Sequence, residues 1–409
     1  MSFYLRLSWR NIWRHRRRTV IVAVAIALTL AMMLAYDGMM EGFQNSIYEN
    51  AIKVMGGNIQ VHAVGYQAAD EEYPLLPVPD DAAVIAAAEA QKQVVVASRR
   101  INTTGMVSNR EGAFPVTIVG VEPDQEIKVS LVAQRVSAGR YLTGQDEDLI
   151  YIGQGLADAM KITVGDRITL VGSVKHQQER TRTMTVVGIY DVGMPEIEKH
   201  TLYMSLGEAQ SLYGLSGKST EVLISIKTLG QENKVISTLK KTLPNYEITS
   251  WETNYPELFN VVGTKNQVMD IFSIIILSIA GIGILNMLLM AVYERTREIG
   301  VLAALGLRPN QISLLFLLEG GMIGVVGLLA GIILGIAINF MLSKYGIDYS
   351  SFSGMTDFTA LITDRIYSTM GLSKLAMRSA TVLIISFLAA FIPAREAAQN
   401  EPAESLHYV

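Results

Sequence analysis

The sequence predicts an α-helical membrane protein with four transmembrane helices and a large α+β extracytoplasmic domain between the first and second of them. Three observations predict this. Half of the 409 residues are hydrophobic and only 18% are charged, below the roughly 25% of soluble domains, and mean hydropathy is +0.30. Apolar residues gather in four stretches near the about 20 residues a helix needs to cross a bilayer, at 19–36, 268–292, within 312–342, and at 375–392. The intervening segment 37–267 has an ordinary soluble composition.

In residues 1–18, Leu5, Trp9, Ile12 and Trp13 recur at helical spacing, while Arg6, Arg10, Arg14 and Arg17 line another face. Tryptophan at headgroup level and arginine against anionic lipid fit an amphipathic helix on the cytoplasmic surface. The same arginines also fit a plain topogenic cluster, and both readings stay open. The first span holds its Ala-x-Ala triplets (Ala23–Ala25, Ala25–Ala27) in mid-run and continues through Met32, Met33 and Leu34. It therefore reads as a retained helix rather than a cleaved leader. Arg6, Arg10, Arg14, Arg16, Arg17 and Arg18 precede it, and Asp37, Glu41 and Glu49 follow it. The positive-inside bias puts both termini in the cytoplasm and the domain of 37–267 outside. Lys374 and Arg378, on the outer side of the fourth span, run against that bias.

Within 37–267, the runs 94–98, 116–121 and 184–190 predict strands, and 80–93, 153–160, 206–213 and 231–243 predict helices, with Asp80 and Asp81 placed to cap the first. These elements do not alternate as βαβ units, which argues for α+β rather than a doubly wound sheet.

Catalytic and cofactor signals are missing from the sequence. Gly214–Ser219 looks like the end of a phosphate loop, but position 212 is Leu where the pattern needs Gly, and the segment follows a helix on the outer side. The five histidines are scattered, no serine sits in a G-x-S-x-G elbow, and the absence of cysteine excludes disulfides and thiolate sites. A net charge of −4 gives no basic field for nucleic acid. The expectation is a non-enzyme that binds no metal or cofactor itself.

The segment 293–310 is more informative. Ile299, Leu302 and Ala303 fall on one helical face, and Glu294/Arg297 and Arg295/Glu298 are i,i+3 pairs on the other. Gly306 suits the stop and Pro309 the start of the next helix. A short rigid helix at the cytoplasmic surface suits a lever for a soluble motor, so Glu294, Arg295, Arg297, Glu298, Ile299, Leu302 and Gly306 are the candidate coupling residues. An ordinary charged loop is the alternative. In the third span, Gly320, Gly324, Gly327, Gly331 and Gly335 recur at small-residue spacings that let helices approach closely. Glu319, beside them, either gates the bundle or lies near the cytoplasmic interface next to an arginine. Met32, Met33, Tyr36, Met39 and Met40 offer an adaptable apolar surface for acyl chains, or for ordinary packing.

The run ERTREIGVLAALGLRPNQI, Glu294 to Ile312, resembles the signature of the FtsX-like permease superfamily, which includes MacB-type exporters and the lipoprotein-releasing permeases LolC and LolE. Phe316–Gly335 resembles the family's third span, and Ile392–Ala398 with Pro402–Leu406 its end. Gly120–Pro123, Ile152–Ala157 and Val164–Asp166 resemble the MacB-type periplasmic core, and Tyr190–Glu198 a Gly-containing loop of the lipoprotein-releasing members, with Glu198 where Asp is expected. The resemblance implies an inner-membrane ABC permease dimer, homo- or heteromeric, with ATP and Mg handled by a separate cytoplasmic ATPase. It divides the chain into a cytoplasmic helix (1–18), a span (19–36), an outer domain (37–267), a second span (268–292), a coupling helix (293–310), a third span (312–342), an external loop (343–374), a fourth span (375–392) and a cytoplasmic tail (393–409). Within the outer domain it implies a porter-like part, 57–134 and 217–250, and an inserted β-rich part, 136–216. The implied function is extraction of lipoproteins or lipids from the outer leaflet, with a periplasmic carrier or outer-membrane partner. The alternatives are MacB-like export and FtsX-like control of a cell-wall hydrolase.

Overall fold

The computed structural model describes residues 2–14, 16–69, 73–172, 180–254, 256, parts of 271–294, 296–348 and 365–399. The chain divides into two compact units, Met1–Gln44 with Val261–Asp348 and Arg365–Val409, and Asn45–Asn260 with Tyr349–Asp364. The main helices are α1 (Ser2–Arg14), α2 (Arg16–Met55), α3 (Asp81–Glu89), α4 (Gln154–Met160), α5 (Leu206–Tyr213), α6 (Glu232–Thr242), α7 (Thr296–Ala304), α8 (Pro309–Tyr345) and α9 (Leu375–Gln399).

Three described helices are long and apolar enough to cross a membrane, Thr19–Met55, Pro309–Tyr345 and Leu375–Glu396. The second sequence-predicted span, 268–292, lies largely outside the described residues, as do Arg295, residues 349–364 of the external loop and residues 400–409 of the tail. The core of the first unit is made by Ile12 of α1, by Val22, Ile26, Leu30, Met33 and Leu34 of α2, by Ile323 of α8, and by Val382, Ala389 and Ala390 of α9. Helix α2 does not stop where its apolar run ends. No proline interrupts residues 37–55, and the helix continues to Met55, where Gly56 and Gly57, both at positive φ, turn the chain.

The second unit is built on one ten-stranded sheet. Its strands are β1 (Ile59–Ala63), β2 (Val94–Ser108), β3 (Ala113–Val121), β4 (Val136–Gly139), β5 (Leu149–Gly153), β6 (Arg167–Gly172), β7 (Arg180–Tyr190), β8 (Thr201–Ser205), β9 (Glu221–Ile226) and β10 (Tyr246–Ser250). The 15-residue β2 serves two cores. Its first half pairs with β9 in the open part, order β10-β1-β9-β2, whose apolar face is covered by Val84 and Ala88 of α3 and by Val235, Ile236 and Leu239 of α6. Its second half pairs with both β3 and β6, and the pairings β3–β8, β8–β5, β5–β7 and β7–β6 close a barrel around a separate core. Among these pairings β3–β8 and β5–β7 are parallel. The barrel draws β2 and β3 from before residue 136, so the two parts of the domain share strands rather than joining at a linker.

Local choices follow the sequence chemistry. The Asp80 side chain caps α3 by accepting from Ala83 N at 2.9 Å. Glu198 is buried, and its carboxylate accepts from Val192 N at 2.9 Å, Met194 N at 3.0 Å and Gly155 N at 3.3 Å. A Cβ on Gly155 would sit 2.7 Å from Pro195 O, so the glycine lets α4 close on this loop. The end of α2 is held by charge. Arg100 donates to Met55 O at 3.1 Å and is paired with Glu126, both side chains being almost wholly buried. Burial alone would lower the Arg100 guanidinium's pKa, but Glu126 against it raises it well above its ordinary value.

Removing one partner of such a pair leaves an uncompensated buried charge, worth about 3–5 kcal/mol. Glu126→Ala is therefore expected to lower the thermal midpoint of the purified chain far more than Glu111→Ala, whose Lys161 partner is exposed. Thermal unfolding followed by circular dichroism checks this, and equal shifts would contradict it.

Candidate functional site

Helices α2 and α8 meet at backbone distance. A Cβ added to Gly327 would lie 2.7 Å from Ile26 Cβ, one on Gly331 2.9 Å from Ala27 O, and one on Gly335 2.9 Å from Leu34 Cβ. The facing α2 row, Ala23, Ala27 and Ala31, is buried and also four-residue spaced. The contacts advance together along both helices, so α2 and α8 run parallel in a fixed register. Gly321 and Gly324 face α9 instead, where added Cβ atoms would lie 3.1 Å from Phe387 and 3.2 Å from Ser386. Gly320 is buried on α8 as well. The small residues thus open two separate contacts, one to α2 and one to α9.

The glycine row ends in a polar girdle. Asn339, four residues beyond Gly335 and fully buried, donates to Leu34 O at 2.8 Å and Met370 O at 3.2 Å, and accepts from Ser368 Oγ at 3.0 Å. Beside it, Arg378 of α9 makes two 2.8 Å hydrogen bonds to Asp37 of α2, with both side chains buried. Glu41 accepts from Thr369 Oγ1 at 2.8 Å and Ser373 Oγ at 3.2 Å.

At the opposite end of the bundle, α7 packs on the first turns of α8. Ile299 is buried with Val292, Ile312, Phe316 and Ala394, while Ala303 and Leu307 pack at the edge. Gly306 takes φ +92° to end the segment, and Gln311 Oε1 accepts from Arg308 N at 2.9 Å to start α8. The outward face carries Arg297, Val301 and Leu305, four residues apart, with Leu305 75% exposed. Glu294 is exposed and Leu302 half-buried. Glu298 pairs with Arg14 of α1 at 3.8 Å.

Two family models match the chain, one described as FtsX-like permease C-terminal over residues 271–402 and one as MacB-like periplasmic core domain over residues 19–241. The chain belongs to the FtsX-like, MacB-type permease family. It is an ABC-transporter permease of the LolC/LolE or MacB type. The lipoprotein-releasing system transmembrane protein LolC of Neisseria meningitidis is 24% identical, over 99% of this chain and 97% of its own length. LolE of Haemophilus influenzae is 23% identical over 98% of each chain. The macrolide export ATP-binding/permease protein MacB of Psychrobacter arcticus is 24% identical over 96% of this chain, which spans 57% of that protein.

In this permease the candidate residues separate into three places. Gly320, Gly324, Gly327, Gly331 and Gly335 lie in the bundle interior, as does Glu319, which is 3% exposed about 15 Å along α8 from its start. Of the coupling residues, Ile299 faces inward and Arg297 outward; Val301 and Leu305, which complete the outward face, were not among the sequence candidates. Their signal was the four-residue spacing from Arg297. The methionines do not form one surface. Met33 is buried in the bundle core, whereas Met32, 71% exposed, extends an outward stripe of Ile21, Val24 and Leu28, with Tyr36, Met39 and Met40 half-buried beyond it.

Two outcomes follow. Gly331→Leu forces a side chain into the Ala27–Leu30 contact and is expected to destabilise the detergent-purified chain by about 3 kcal/mol, the upper end of the usual overpacking cost; outward-facing Leu329→Ala is expected to leave its melting point unchanged. Similar losses for both would contradict the packing. Arg378→Met and Asp37→Leu are each expected to cost about 3–5 kcal/mol, and the double variant to recover most of it. A double variant as unstable as the sum of the singles would show that the two residues do not act as a pair.

Proposed function

We propose that this permease converts ATP hydrolysis by a separate cytoplasmic ATPase into movement of its extracytoplasmic domain, and that it extracts lipoproteins or lipids from the outer leaflet. The observation that carries this reading is coverage. LolC and LolE, proteins of the lipoprotein-releasing system, are matched along nearly their whole length. The separate ATPase is part of the proposal, in keeping with the lack of a complete phosphate loop in the sequence. In this proposal residues 268–292 are the second of four spans, and the α1/α7 end is cytoplasmic, in keeping with Arg16 and Arg17 there and Asp37 and Glu41 at the other end. A second permease subunit, identical or not, completes the assembly.

The outward face Arg297–Val301–Leu305 of α7 is the ATPase contact, with Ile299 fixing α7 to the bundle from behind. Rigid helices and close packing carry the motion, so substrate need not cross the whole bilayer. The outward stripe ending at Met32 meets acyl chains. MacB-like export is the second reading, favoured by the 96% coverage of this chain by a macrolide exporter.

Leu305→Asp is expected to reduce ATP-dependent transport at least tenfold while leaving membrane insertion and subunit assembly intact, as judged in vesicles containing the ATPase. Photo-crosslinking from position 32 is expected to capture labelled acyl chains and release them on turnover. Capture of soluble compounds alone would move the permease to the exporter reading, and capture of a cell-wall hydrolase to a signalling one. Full transport by Leu305→Asp would remove α7 as the coupling element.

A further inference from the structure

Helix α1 carries three parallel rows at four-residue spacing. Ser8 and Ile12 form the buried row, in which Ser8 Oγ donates to Leu315 O at 3.3 Å and Ile12 joins the bundle core. Leu5, Trp9 and Trp13 form a second row, 39%, 49% and 58% exposed, with the two indoles edge to face at 6.0 Å. Arg6, Arg10 and Arg14, all exposed, form the third, adjacent to the tryptophans. Thr19 Oγ1 donates to Ile12 O at 3.0 Å across the junction with α2, so α1 is fixed at the start of a membrane-spanning helix. Exposed Val20 and Ile21 begin the outward stripe of α2 there.

A helix tethered on one face and presenting a tryptophan row next to an arginine row, at the mouth of a spanning helix, matches the headgroup region, where indoles sit at the apolar boundary and guanidinium groups meet phosphate. We propose that the Trp9–Trp13/Arg6–Arg10 face binds anionic phospholipid headgroups and that this contact also positions α7. The link is α8, whose residues 312–316 hold both helices. Leu315 receives Ser8 of α1, while Ile312 and Phe316 enclose Ile299 of α7. The exposed Arg14–Glu298 pair adds a direct but weak tie. The occupant is lipid rather than the ATPase because the apolar row continues the lipid-facing stripe of α2, whereas α7 presents its own separate outward face.

The chain has no cysteine and three tryptophans, which makes a direct test possible. In a Trp251→Phe background only Trp9 and Trp13 report, and a spin label at Val301→Cys reports on α7. Short-chain phosphatidylglycerol titrated into the detergent-solubilised full chain is expected to shift the emission to the blue saturably and to immobilise the label; phosphatidylcholine is expected to do neither. Arg6→Gln and Arg10→Gln, both exposed and so compatible with folding, are each expected to weaken the apparent affinity by about fivefold. Equal responses to the two lipids would overturn the proposal, as would an emission shift that arises only when an ATPase subunit is added. A shift in emission with no change at Val301 would overturn the link to α7.

Discussion

The backbone contact between α2 and α8 is the constraint on which the membrane unit depends. Lipid chains are as apolar as leucine, so helices in a bilayer gain little from hydrophobic burial against each other and rely on close packing and internal hydrogen bonds. Gly327, Gly331 and Gly335 remove the Cβ atoms that would hold α8 away from Ala23, Ala27 and Ala31, and the two helices interlock in one register. That register brings Asn339 level with Leu34 and leaves Asp37 one turn further along, where Arg378 of α9 reaches it. A slide of one helix along the other would break the Asn339 bonds and drive Cβ atoms into the glycine row at the same time.

Such a bundle suits transmission. The α7 segment is packed into the first turns of α8 through Ile299, α8 is locked to α2, and α2 continues without a break to Met55, whose carbonyl is bound by the buried Arg100–Glu126 pair. The α7–α8 contact is apolar, the α8–α2 contact is a row of small residues, and the end of α2 is held by a buried ion pair. The β2 strand then serves both the open sheet and the barrel of the second unit.

Periodicity and composition made much of this legible in the sequence. The glycine spacings predicted close helix contacts, and the α+β character of the domain followed from the lack of βαβ alternation. What spacing left open was the identity of each partner, because one row of small residues looks the same whether it faces α2 or α9. Arg378 read as a violation of the positive-inside bias; its buried partner Asp37 is 341 positions away in the chain, and no local pattern connects them. Met32 and Met33 looked equivalent but differ by a 100° helical turn, which sends one outward and the other into the core. The barrel was illegible for a related reason. Its closure depends on the long β2 changing partners at about Arg100, a matter of register rather than propensity. Glu198, which stands where the resemblance expects Asp, is the buried acceptor that ties the 191–194 loop to α4.

A rigid bundle makes a distinction that spin labelling measures directly. Labels at Leu28→Cys on α2 and Leu329→Cys on α8 both face away from the bundle, on helices held by the glycine row. Their separation can be measured by pulsed electron resonance in the complex with the proposed ATPase partner, with and without trapped nucleotide, and compared with the distance from Leu28→Cys to the proposed second permease subunit. The expected result is an unchanged distance within the chain and a changed distance between subunits. A nucleotide-dependent change within the chain, with the subunits stationary, would contradict rigid transmission through α2 and α8.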